Sequence, residues 1–386
     1  MDSANNPKQL DQIYYLLALC ARAEGHSAFY AELIHQLSNF SEWNKLPAQA
    51  ELHGMAPLLW HHIQKSEFAI PKNTEQTLKA LYLRSRAYNQ IYERVLMEII
   101  SLFNEANLQL LLLKGLALAY QYYPDPALLP VSDIDLLLRK EDFLPAIHLL
   151  EDAKFNIQFH QVSKSLQKSA TATVLREDIH AHIELHHYDL EVKYEKGNDP
   201  DTEFAGLDSQ PQAIRINDCL VYTSGKMETL LYLTRHFAKH LFIGNSSQPA
   251  QFKWIADIVS LVECHAEELD WKYIQENHPD VIQRLEVFYS YTPLPERLAK
   301  IIPIRKSSSP KGLGQYPPGW PHRSIQQWKQ IGYLKFIWQI LIPPSEWWTR
   351  LYYGIGQQPL FWHRQVVYRW QVLKAMFWVA THRFGF

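Results

Sequence analysis

The stretch Ser132-Asp133-Ile134-Asp135-Leu136-Leu137-Leu138 constrains the fold of this chain more than any other. Acidic and apolar residues alternate and then give way to an apolar run, the pattern of a β-strand entering a core. On a strand, residues i and i+2 share a face. Asp133 and Asp135 therefore project side by side, with Ile134 and Leu136 anchored behind them. Two carboxylates that close resist joint ionisation unless a cation lies between them. A hard divalent ion such as Mg²⁺ takes such oxygen ligands, and paired metals can clamp the attacking and leaving oxygens of a phosphoryl or nucleotidyl transfer. The same alternation also suits a surface strand carrying two solvated aspartates.

The flanking sequence bears on that choice. Leu108–Leu113 is a short apolar run that reads as a buried strand. Lys114-Gly115 then makes a turn into a predicted helix, Leu116–Tyr123, which stops at Pro124. A glycine at a strand-to-helix turn lets a phosphate approach the backbone, and a lysine adds a compact positive charge. Further on, His182-Ile183-Glu184-Leu185-His186 alternates as a strand and puts Glu184 on one face with His182 and His186. The alternative for Glu184 and its histidines is an exposed hairpin face. His187 has the opposite parity and His180 lies too far along, so the four histidines do not form a single site.

Elsewhere the 3–4 spacing of helices dominates. Leu10, Ile13, Tyr14, Leu17 and Ala21 follow it, and helical spacing continues to about residue 105. Glu141–Ala153 reads as a helix, and Asn156–Val162, Ala170–Arg176 and His180–His186 read as strands. Helical periodicity returns from Ser224 to about Leu298 and carries His236, His240 and Trp254–Val262. His236 and His240 share a helix face, but without His-Glu-x-x-His a structural or pocket role suits His236 better than metal binding. Ser307–Ser324 is rich in Ser, Pro and Gly and reads as a linker.

Composition narrows the function. Lys+Arg total 38 and Asp+Glu total 40, so the chain is neither a basic nucleic-acid coat nor an acidic disordered chain. Cys20, Cys219 and Cys264 are far apart and odd in number, which fits neither a disulfide framework nor a Cys-x-x-Cys metal pair. With no basic-then-apolar leader at the N-terminus, a reducing, cytoplasmic location is expected. Gly-x-Ser-x-Gly and the Walker lysine loop are both absent. From Pro343 to Phe386 there are 12 aromatic residues, with five Lys/Arg against the single acid Glu346. The simplest reading is that these rings pack a helical subdomain. A peripheral membrane or protein contact is the alternative, and nucleic acid is the least favoured partner.

Taken in order, these pieces resemble the nucleotidyltransferases of the DNA polymerase β superfamily, and more narrowly a family of uncharacterised bacterial nucleotidyltransferases. The resemblance rests on Trp43, His53-Gly54-Met55-Ala56-Pro57-Leu58-Leu59, Leu113-Lys114-Gly115, Ser132–Leu138, Glu184-Leu185-His186, His236, and Trp254 with Asp257-Ile258. It spans about residues 40–300. There are two departures: Leu116 follows Gly115 where the superfamily has a serine, and no arginine shortly precedes the Asp-x-Asp strand.

The resemblance implies an α+β fold, with a small mixed sheet at 106–222 between helical regions at 1–105 and 223–304. A linker at 305–324 and an aromatic, basic tail at 325–386 would follow. It implies an enzyme that moves a nucleoside monophosphate from an NTP, ATP in the first instance, to an acceptor and releases pyrophosphate. The acceptor would be a small molecule, a peptide or a saccharide. Asp133, Asp135 and Glu184 would hold two Mg²⁺ ions and carry the catalysis, with Lys114, Gly115 and Ser132 at the nucleotide. The two departures support a second reading, a catalytically degenerate nucleotide- or partner-binding module of the same fold.

Overall fold

In the computed structural model the described residues are 7–160, 169–176, 179–188, 210–241, 251–305, 330, 332–343 and 345–383. The chain opens with five helices: α1 (Pro7–Leu19), α2 (Ser27–Ser38), α3 (Leu46–Leu52), α4 (Ala56–Ser66) and α5 (Lys72–Glu105). Strand β1 (Leu110–Leu112), α6 (Leu116–Tyr122), β2 (Ile134–Arg139) and α7 (Lys140–Asp152) come next. They are followed by β3 (Asn156–His160), β4 (Ser169–Arg176), β5 (Ile179–Tyr188), β6 (Gln212–Ile216) and β7 (Cys219–Thr223). Helices α8 (Lys226–Leu241), α9 (Phe252–His265), α10 (Trp271–Asn277) and α11 (Pro279–Phe288) precede three more at Tyr333–Ile340, Glu346–Tyr353 and Tyr368–Arg383. The fold is α+β, with a small mixed sheet in a mainly helical chain, as the sequence leads one to expect.

The chain divides into two compact units. One contains residues 54–233 and 260–265, and with them the sheet. Its five strands run in the order β1-β2-β5-β4-β3. β2 is antiparallel to β1 and parallel to β5, while β4 is antiparallel to both β5 and β3. The parallel β2–β5 pair needs a crossover, which α7, β3 and β4 supply. Ile134, Leu136 and Leu138 of β2 and Ala181, Ile183 and Leu185 of β5 form one face. They share a core with Val95, Leu96, Ile99 and Phe103 of α5 and with Phe143, Ala146, Ile147 and Leu150 of α7. Asp135, Glu184 and His186 have the other parity and lie on the face away from these helices.

A polar ladder on α5 fixes the loop that leads into β2. Tyr82, Ser85, Asn89 and Tyr92 recur at three- and four-residue spacing and share one helix face. Tyr82 Oη donates to the Asp125 carboxylate at 2.5 Å, and Ser85 Oγ to the carbonyl of Ala127 at 2.8 Å. Asn89 Nδ2 donates to the carbonyls of Pro126 and Leu129 at 2.8 and 2.9 Å, while its Oδ1 accepts from Val131 N–H at 3.1 Å. Tyr92 Oη donates to the carbonyl of Ser132 at 2.5 Å. A loop with so few regular partners of its own thus has its backbone groups satisfied by one helix.

The other unit contains residues 1–53, 234–259 and 266–386. In it Ile13, Tyr14, Leu17 and Ala21 are buried, as their spacing predicts. Part of the C-terminal tail is core here: Trp347, Trp348 and Tyr368 are buried, and Trp348 stacks on Tyr352 at 4.9 Å. Arg284 of α11 clasps the Glu346–Tyr353 helix by donating to the carbonyls of Leu351 at 2.8 Å and Tyr352 at 3.2 Å.

Some local readings differ from the structure. The first strand is only Leu110–Leu112, because Asn107 turns the chain at φ 56°. The β6–β7 hairpin was not expected. Its turn puts Asn217 at φ 51°, and Ala213–Ile216 offered only a weak alternation. Of the expected linker at 305–324, all but Arg305 lies outside the described residues.

Asn89 is the most heavily engaged rung of the ladder. Asn89→Leu would keep the side-chain volume but strand one N–H and two carbonyls, at about 1–3 kcal/mol for each buried group left unpaired. We expect a loss of about 3 kcal/mol in urea unfolding, against less than about 0.5 kcal/mol for an exposed control such as Tyr88→Gln on the same helix.

Candidate metal and nucleotide site

The parallel register sets Asp135 directly opposite Glu184. Cross-strand neighbours on one face bring their side chains within reach of each other, and His186, two residues along β5, is the diagonal neighbour. One ligand atom each from Asp135, Glu184 and His186 lies within 4.8 Å of the others. Among the described residues this is the one group of three or more such side chains close enough to share an ion.

Asp135 is 1% exposed, so its carboxylate needs compensation. Lys114 Nζ lies 3.0 Å from Asp135 Oδ1, and His186 Nε2 lies 3.4 Å from the same oxygen. His186 Nε2 is also 3.5 Å from Glu184 Oε2. The second oxygen, Asp135 Oδ2, is buried and has no hydrogen-bond partner. Lys114 is delivered by the backbone: Leu113 N–H donates to the Asp135 carbonyl at 2.9 Å, and the chain then turns at Gly115 with φ 49° and ψ −115°. Only glycine takes that conformation without strain. A Cβ there would sit 3.4 Å from the carbonyl oxygen of Asp133. The helix that follows has seven residues, so its dipole is short.

Burial alone would push the Lys114 ammonium toward neutrality, but Asp135, Tyr232, Asp133 and Glu184 hold its pKa well above the ordinary lysine value. Burial also works against the His186 imidazolium, yet bonds to Asp135 and Glu184 raise its pKa to about 9. Glu184 is shifted below the usual carboxylate range, chiefly by its bond to His186.

The structure brings Asp135, Glu184 and Lys114 together. Asp133 is not one of the three residues that close within 4.8 Å; it lies just before β2, half-buried, and accepts from Ser132 Oγ at 3.1 Å. Ser132 is exposed, with its carbonyl held by Tyr92. His186 was placed on the right face by alternation but given no role; its signal is the Glu-x-His spacing beside a buried acid. His182 is exposed. The His187 ring packs at 4.8 Å from Phe143 of α7, on the opposite face of the sheet. The side chain of His180 lies outside the described residues, and its backbone pairs with Leu175. His236 belongs to the other unit, where its ring lies 4.4 Å from that of His240 and 5.3 Å from that of Trp254. In the same unit His53 is buried between Tyr14 and Phe252, and burial pushes its pKa down to about 3.

A family model described as uncharacterised nucleotidyltransferase matches residues 39–287, more than half of the chain. A crystal structure of an antigenic nucleotidyltransferase-like protein from Paracoccidioides brasiliensis aligns over 54% of this chain and 96% of its own, at 14% identity and a TM-score of 0.32. Similarity that low carries no further inference. No curated protein matches the chain.

The charged cluster predicts a pH dependence of stability for the protein stripped of metal by EDTA. An unfolded histidine titrates near 6.5, below the folded value of about 9 for His186. The imidazolium's contribution is therefore full below about pH 6.5 and lost as pH rises through about 9. Thermal unfolding should show the melting temperature falling across that window, and His186→Gln should flatten the fall. An unchanged slope in His186→Gln would exclude His186 as its source.

Proposed function

The chain belongs to the family described as uncharacterised nucleotidyltransferases, and from that membership we propose that it is a divalent-metal-dependent enzyme of the DNA polymerase β type. It would transfer a nucleoside monophosphate from an NTP, ATP in the first instance, to a small-molecule, peptide or saccharide acceptor. In that reaction an acceptor nucleophile bonds to the α-phosphorus, the bond from that phosphorus to the β-phosphate oxygen breaks, and pyrophosphate leaves. The acceptor's proton passes to a base or to water.

The observation that carries this reading is the buried, unpartnered Oδ2 of Asp135 beside Glu184. A carboxylate oxygen kept dry with no donor suits a cation. Asp135 and Glu184, with Asp133 at the mouth of the strand, would hold Mg²⁺, which would supply charge stabilisation at the phosphoryl oxygens. Glu184, half-exposed and ionised, would take the acceptor's proton. Gly115 gives the triphosphate close approach to the backbone, Lys114 contributes positive charge, and Ser132 offers an exposed hydroxyl beside Asp133.

One observation favours the second reading, a nucleotide- or partner-binding module without turnover. Lys114 and His186 already set two positive charges against Asp135 Oδ1. An internal cation can take over the neutralising role of a metal, leaving the fold without the chemistry.

The test is pyrophosphate release from each NTP with a panel of acceptors, with and without Mg²⁺ or Mn²⁺. Turnover in the wild type should need the metal. Asp135→Asn and Glu184→Gln should each lower it about a thousandfold, the scale of losing a metal clamp worth several kcal/mol. Circular dichroism should show the wild-type spectrum for both variants, with Asp135→Asn melting at a lower temperature because Lys114 and His186 lose their counter-charge. Wild-type rates in either variant would remove these residues from the site. Nucleotide binding by calorimetry without turnover under any metal would favour the binding module.

A further inference from the structure

The exposed side of the C-terminal helices carries a feature that the sheet site does not explain. Trp362, Val366, Trp370, Leu373 and Phe377 recur at spacings of four, four, three and four residues and form one stripe. Trp362 is 62% exposed, Trp370 60% and Phe377 73%. On the neighbouring helix, Leu334 and Trp338, four residues apart, are 82% and 65% exposed. The stripe belongs to a seated element. On the opposite side of the Tyr368–Arg383 helix Tyr368 and Val372 are buried, and Tyr368 Oη donates to the carbonyl of Ile340 at 2.9 Å. The outward face is thus large and aromatic, and soluble surfaces rarely leave such a face to water.

The charges around it select the partner. Lys374, exposed, edges the stripe with its Nζ 5.4 Å from the centre of the Trp370 ring, and Arg369, partly buried, lies at the other edge. Lys335 and Arg364 add to the same sign. From residue 330 to the C-terminus the one acid is Glu346, and Arg350 bonds it at 2.8 Å. Tryptophan and phenylalanine edged by lysine and arginine, with no acid among them, match the boundary of a bilayer with anionic headgroups. Rings enter the acyl boundary while the basic groups stay at the phosphates. A second copy of the chain fits less well, because a two-fold contact through this face would set Arg369 and Lys374 against their own copies with no carboxylate between them. Among the described residues no helix is long and apolar enough to cross a membrane, so the segment would lie on the bilayer.

We propose that the helices Tyr333–Ile340 and Tyr368–Arg383 form a docking surface for a bilayer containing anionic lipid. The surface is independent of the chemistry at Asp135.

Co-sedimentation of the full chain with vesicles tests this, using phosphatidylcholine alone or mixed with phosphatidylglycerol. The bound fraction should favour the phosphatidylglycerol vesicles by about tenfold and fall as salt is raised. Lys335→Gln with Lys374→Gln, both exposed, should remove that preference. Trp362→Ser with Trp370→Ser should weaken binding to both vesicles by about tenfold. Circular dichroism would verify folding, and the charge pair, being at the surface, keeps the test valid if the tryptophan pair misfolds. Equal binding to the two vesicles, or none, would overturn the proposal. So would a dimer in sedimentation equilibrium that Trp370→Ser disperses in a protein that ignores vesicles.

Discussion

The sheet unit is organised around a carboxylate almost without access to water. Asp135 sits in the second strand of a five-stranded sheet, one residue from side chains that are fully apolar and buried. An isolated buried charge costs more than most single interactions in a protein can return. Its cost is offset here by elements from two distant places in the sequence. Lys114 arrives at the end of β1, His186 along β5, and the backbone bond from Leu113 locks the first of these in place. Removing one partner would leave the others as uncompensated charges, so the cluster stands or falls as a unit. The same constraint explains why Gly115 takes a left-handed conformation: the chain has to reverse immediately after delivering the lysine.

The loop between α6 and β2 follows from that constraint. A strand that must present Asp135 in register with Glu184 cannot have a slack entry, since a slip of one residue would send the carboxylate into the core face. The ladder Tyr82, Ser85, Asn89, Tyr92 supplies the tension. It ties the backbone from Asp125 to Ser132 to a helix of 34 residues that is itself packed on the sheet. Stability and site geometry therefore share the same hydrogen bonds.

What the sequence discloses and what it hides divide along the range of the interactions. The strand around Asp135, the glycine turn, the Glu184 strand and the helical runs are local patterns, and all are legible as alternation, 3–4 spacing or punctuation. The pairing of Lys114 with Asp135 depends on the antiparallel register of β1 and β2, and the closeness of His186 on a parallel register between strands separated by some fifty residues; no local pattern encodes either. The α5 ladder was hidden for a related reason. Tyr82, Ser85 and Asn89 look like solvent-facing residues of an amphipathic helix until the loop they hold is in place. The aromatic tail was legible only as a choice. Trp347 and Trp348 went to the core, Trp362 and Trp370 to the surface, and composition treats them alike.

The two oxygens of Asp135 set the terms on which an ion could enter. Oδ1 already faces Lys114 and His186, while Oδ2 faces neither. A divalent cation approaching Oδ2 would meet two positive charges within the reach of one carboxylate, and repulsion falls slowly in so dry a place. Entry is eased if His186 gives up its proton or if Lys114 finds another anion. The phosphates of the proposed nucleotide would be such an anion. On electrostatic grounds, then, under the proposed function metal and nucleotide would each favour the other's binding, and Lys114 would be the group that links them.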